Sequence, residues 1–141
     1  MQLLRKTLLA FVALLSQAAL YGAARSGFAV VIDARSYTEA RRQVDAYIGE
    51  IEKSGLQVDL VIDRTGQPDS LRDILRGLHA RREAPIEGAV LVGDIPVVLV
   101  RDAQHLTSAF KMDQQAFDRW ESSVPSDRFY DDFSLRFEPL G

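Results

Sequence analysis

Three short runs of Val, Ile and Leu constrain the fold of this chain more than any other feature. They are Phe28 to Asp33 (FAVVID), Leu56 to Asp63 (LQVDLVID) and Ala89 to Val92 within IEGAVLVGDIP. Nearly continuous β-branched runs of this length suit strands of a parallel sheet, which are covered on both faces. Asp59 interrupts one side of the second run, so that strand reads as an edge.

The segments between the runs have helical periodicity. Tyr37, Ala40, Val44, Tyr47, Ile48 and Ile51 recur on one face of the first, and Gly55 stands where a left-handed C-terminal cap belongs. Ser36 followed by Glu39 has the form of a capping box that starts this helix. In the second, Leu71, Ile74, Leu75 and Leu78 share a face, and Gly77 weakens the helix slightly.

Strand, helix, strand, helix, strand with right-handed crossovers predicts an α/β three-layer sandwich with a mainly parallel sheet in the order 2-1-3. Ligand crevices in such sheets open at the carboxyl ends of the strands where the order reverses. Here that point brings Asp33, Ala34 and Arg35 towards Gly93, Asp94, Ile95 and Pro96.

Two further strands are expected. Val97 to Val100 (VVLV) reads as a short one. In FSLRFEP, Phe133, Leu135 and Phe137 alternate with Ser134, Arg136 and Glu138, the pattern of a half-buried strand whose apolar face lacks cover. Between Arg101 and Ser123 the pattern is weak, and SAFKMDQQAFDRW reads either as a short helix or as a surface wrap.

The first 24 residues stand apart. Arg5 and Lys6 precede an apolar run from Leu8 to about Leu20, followed by Gly22-Ala23-Ala24. This is the layout of a secretory signal peptide with cleavage after Ala24. Ser16 and Gln17 interrupt the run, which falls short of the ~20 apolar residues of a spanning helix. Residues 25–141 are then one exported domain, secreted, periplasmic or at the cell surface, with no membrane segment after cleavage.

The 141-residue chain has no cysteine, so its fold uses no disulfide and it holds no cysteine nucleophile. Its net charge of −3 supplies no basic stripe for a phosphate backbone, which argues against a nucleic-acid partner.

Candidate chemistry is sparse. Asp94 follows a buried run and the flexible Gly93, and reads either as a carboxylate aimed into the crevice or as a turn cap. His105 falls in the irregular stretch and is a candidate for the crevice edge. His79, beside Arg81 and Arg82 near a helix end, reads as solvated or facing the helix dipole. Serines are present, but none sits in a Gly-x-Ser-x-Gly elbow. Glycine-rich nucleotide loops and His-Glu-x-x-His zinc spacing are absent from the sequence.

The segment VPSDRFYDDF supplies Asp127, Asp131 and Asp132, oxygen donors of the kind calcium takes, without the alternating spacing of a calcium loop. The other reading is a loop that leads towards the next strand, with Tyr130 as its anchor. Asp127 and Tyr130 are also crevice candidates. Calcium is the one cofactor the residues suggest, and no other is expected.

GAVLVGDIP, Gly88 to Pro96, followed by Pro125 to Asp132 with its Ser-Asp-x-x-Tyr pattern, resembles the N-terminal subdomain of gingipain-type cysteine peptidases. The likeness extends from about Phe28 onward. It implies a caspase-like α/β architecture and a secreted peptidase whose His-Cys dyad is borne by a later subdomain. No residue here takes the dyad's place, because cysteine is absent and neither histidine has Gly-His-Gly surroundings. The expectation is a non-catalytic front part of a longer protein. Its partners would be that protein's own catalytic subdomain and, through it, a peptide or protein substrate. The alternative is a stand-alone exported α/β module that binds a ligand or calcium.

Overall fold

A computed structural model describes residues 26–101, 116–118 and 121–139. Residues 1–24, expected to be a signal peptide, His105 and most of SAFKMDQQAFDRW lie outside the described residues. Three strands, β1 (Gly27–Asp33), β2 (Gln57–Asp63) and β3 (Ile86–Val92), form a parallel sheet in the order β2-β1-β3. Helix α1 (Ala34–Lys53) crosses from β1 to β2 and helix α2 (Pro68–Ala80) from β2 to β3. This is the expected α/β three-layer arrangement.

Strand β1 is central because its residues are apolar on both faces. Val30 and Ile32 pack with Val44 of α1, and Ala29 and Val31 pack with Leu71 and Leu75 of α2. All four β1 side chains are buried. Tyr37, Ala40, Ile48 and Ile51 line the α1 face as their spacing predicts. Tyr47 and Ile74 depart from the prediction and are 47% and 48% exposed, each at the margin of its apolar stripe.

Helix α1 is capped three residues before the expected Ser36. Asp33 is its N-cap and accepts from the N–H groups of Arg35 and Ser36. The Ser36–Glu39 box does not start the helix: Glu39 pairs instead with exposed Arg35 at 3.0 Å. A carboxylate at the end of β1, where the backbone is extended, reaches the first free amides before Ser36 does. The backbone departs from helical geometry at Ala40. At the other end Gly55 has φ +97° and donates to Glu52 O, as a helix terminator does.

The outer strands are less covered than expected. Ala89 is exposed, and Val90 to Val92 are half-buried rather than a buried run. Only β1 has a neighbour on each side among the described residues. On β2, the Asp59 carboxylate meets the Arg81 guanidinium at 2.8 and 2.5 Å, and Arg81 also donates to Ala84 O.

After β3, strand β4 (Leu99–Val100) pairs antiparallel with β5 (Val124–Pro125), so VVLV does supply a short strand. Helix α3 (Arg128–Asp131) follows at once. FSLRFEP is a turn and an irregular tail, not a strand. Its alternation still reports burial: Phe133, Leu135 and Phe137 are half-buried while Ser134, Arg136 and Glu138 are exposed. Phe133 and Phe137 pack on the α2-side core, so the apolar face is covered by α2 rather than left as an open edge.

Candidate functional site

The switch point between β1 and β3 is built around Asp33. Its Oδ1 accepts from the N–H groups of Arg35 (3.0 Å) and Ser36 (2.9 Å), and its Oδ2 from the N–H of Asp94 (2.8 Å). The Ser36 side-chain hydrogen bond, then the backbone bonds from Ser36, Asp94 and Arg35, hold the Asp33 carboxyl down at about 2. Gly93 makes this closure possible. Its φ is +81°, and a Cβ there would run into Asp33 Oδ2 and Ser36 Oγ.

Asp94 thus joins the site through its backbone. Its N–H ties the exit of β3 to the start of α1, and the residue itself is exposed. In nucleotide-binding sheets a phosphate rests on the amides at the start of the helix after β1. Here the chain's own carboxylate uses those amides. Asp33 was legible as a crevice residue; its role as the clasp was not.

VPSDRFYDDF packs against the segment that leaves β3. Tyr130 is buried and its hydroxyl donates to Pro96 O at 2.8 Å. The Ser126 N–H donates to Val98 O at 3.0 Å, next to the β4–β5 pair. Burial, followed by the negative charges of Asp63 and Asp69, pushes the Tyr130 phenol up to about 12. Tyr130 is therefore an anchor, poorly suited to proton transfer near neutrality.

The three calcium candidates are engaged differently. Asp127 precedes α3, and its carbonyl accepts from the Tyr130 N–H at 2.7 Å. Asp131 is exposed at the end of α3. Asp132 Oδ1 accepts from the Ser134 hydroxyl at 2.6 Å and the Ser134 N–H at 3.1 Å, while Oδ2 faces Arg128 at 3.7 Å. These Ser134 bonds, ahead of the Arg128 charge, lower the Asp132 pKa. Among the described residues no three His, Asp or Glu side chains are grouped to hold a metal ion.

His79 is not simply solvated. Its Nδ1 lies 3.1 Å from Ile86 O, which makes Nδ1 the donor, and its ring sits 5.4 Å from that of Phe133.

Arg72, which the sequence pattern does not single out, organises the tail. It is 8% exposed. Its Nε donates to Phe129 O at 2.6 Å and its Nη2 to Asp132 O at 2.9 Å and Leu135 O at 3.0 Å. The rings of Phe129, Phe133 and Phe137 lie 5.2–5.8 Å from the guanidinium carbon. The available signal was an arginine beside Leu71, on the apolar side of α2.

The fold and site define an α/β three-layer unit whose switch point is closed by its own Asp33 and whose C-terminal segment is pinned by Tyr130 and Arg72. No protein-family model, curated protein or solved structure matches the chain. No helix among the described residues is long and apolar enough to cross a membrane.

Proposed function

We propose that residues 25–141 are the non-catalytic N-terminal α/β part of an exported gingipain-like cysteine peptidase. Proteolysis would belong to the full-length protein, with the catalytic dyad on a later subdomain. The supporting observation is the union of the two segments that carry the resemblance. Gly88 to Pro96 and Pro125 to Asp132 are joined by the Tyr130–Pro96 bond, with the Ser126–Val98 bond and the β4–β5 pair beside it.

Such a unit supports catalysis by holding the carboxyl end of the sheet rigid. The Asp33 clasp fixes the β3 exit, and Arg72 fixes the segment after α3. Lacking cysteine, the chain must receive its nucleophile from elsewhere in the protein. The purified chain is expected to turn over no peptide substrate. Thiol-sensitive cleavage by it would sink the proposal. The calcium-module alternative has less support, because Asp132 is committed to Ser134. Terbium luminescence separates the two: saturable sensitised emission that calcium competes away would favour the module.

A further inference from the structure

A pocket of about 430 Å³ opens between α2 and the segment from Phe133 to Glu138. Arg72, Arg76 and Arg136 line it, together with the apolar walls of Phe133 and Phe137. Glu138 also lines it.

The charges do not balance. Arg76 is paired with Asp73 at 3.0 Å, and Glu138 is the one acidic residue lining the pocket beside the three arginines. Arg72 has no such partner: the ion pairs among the described residues do not include it. Its Nε and Nη2 are used on three carbonyls, and those bonds leave Nη1 unused. Buried charges are ordinarily paired, because carbonyl dipoles and ring faces compensate a full charge only in part. Arg72, 8% exposed as a whole residue, lines the pocket and has an Nη1 that the three carbonyl bonds do not use, which suits one negative charge.

We infer that this pocket binds a monocarboxylate with an apolar body, its carboxylate on Arg72 with Arg136 and Arg76 at the rim and its body against Phe133 and Phe137. A single residual positive charge favours a carboxylate over a doubly charged phosphate, and the aromatic walls favour an apolar body over a bare anion. The pocket's chemistry does not depend on the peptidase reading, since it concerns residues of this chain alone.

The test is an amide-resolved NMR titration of the folded chain in low-salt buffer. Three probes are used: benzoate, a short peptide ending in phenylalanine with a free carboxylate, and neutral benzamide, with inorganic phosphate as a fourth arm. Benzoate or the peptide is expected to saturate below about 10 mM, with shifts centred on residues 72–76 and 133–138. Tighter binding of the peptide assigns the site to a chain terminus; equal binding assigns it to a small acid. Added salt should weaken both. Arg136→Gln, an exposed change that leaves the core intact, should weaken binding about three- to tenfold. Arg72→Met should abolish it, and Arg136→Gln keeps the test decisive if the Arg72 variant unfolds. No saturable binding of either carboxylate, equal binding of benzamide, or binding of phosphate in preference to benzoate would overturn the inference.

Discussion

Replacing Arg72 with methionine tests the principal tertiary lock. The change removes three hydrogen bonds from a charged donor and three cation–ring contacts. The Phe129 residue is buried, so its carbonyl loses its donor with little access to water, a loss of about 1–3 kcal/mol. Asp132 and Leu135 are half-buried, and water replaces part of what their carbonyls lose, leaving ~0.5–1 kcal/mol each. The ring contacts add about 0.5–2 kcal/mol. Methionine keeps much of the stem's packing against the rings, and the cost of burying the charge disappears. The net expected loss is roughly 2–4 kcal/mol, a large share of the ~5–15 kcal/mol that holds a typical domain. Urea unfolding followed by far-UV circular dichroism measures it, and hydrogen exchange should accelerate across residues 129–137. Arg76→Met is the control: its pair with Asp73 is exposed, so the change should cost no more than about 0.5 kcal/mol. An Arg72→Met protein as stable as the parent, with unchanged exchange, would refute this account of the tail.

Four other outcomes follow from the same structure. Gly93→Ala should destabilise by at least about 1–2 kcal/mol from the left-handed backbone alone, before its clash with Asp33 and Ser36, as read by urea unfolding. Tyr130→Phe should cost about 0.5–1.5 kcal/mol by leaving Pro96 O without its donor. With its pKa raised from 10.0 to about 12, Tyr130 contributes stability that is complete below pH 10 and lost as pH rises through about 12; phenolate absorbance against pH checks it. Asp33 runs the other way. Its pKa is depressed from 3.8 to about 2, so its contribution is present above pH 3.8 and lost as pH falls through about 2, and the Asp94 amide should report that titration by NMR.

The sheet order, both long helices and the closing glycine at position 55 were legible because hydrophobic periodicity and chain chirality are local rules with few solutions. The start of α1 was misread because two capping residues lie three positions apart, and only tertiary structure shows that Asp33 also serves Asp94. FSLRFEP was read as a strand because alternation records alternate burial, and an irregular segment laid on a helix alternates as well. Arg72 was illegible for a related reason. An arginine is buried only when carbonyls from a distant segment meet it, and those come from residues 57 to 63 positions away. Tyr130 is offered by the sequence both as an anchor and as a crevice candidate; its bond to Pro96 O agrees with the anchor, a partner that the sequence could not name.

The most direct test of the functional account is the native protein's own composition. Antibodies raised against residues 26–139 should capture it from the exported fraction of its host, and tandem mass spectrometry of the captured species reads its sequence. The account predicts an N-terminus at Arg25, a mass well above that of this 15.7 kDa chain, and peptides containing a Gly-His-Gly histidine and a cysteine. A mature species consisting of residues 25–141 alone, with no cysteine, would contradict it.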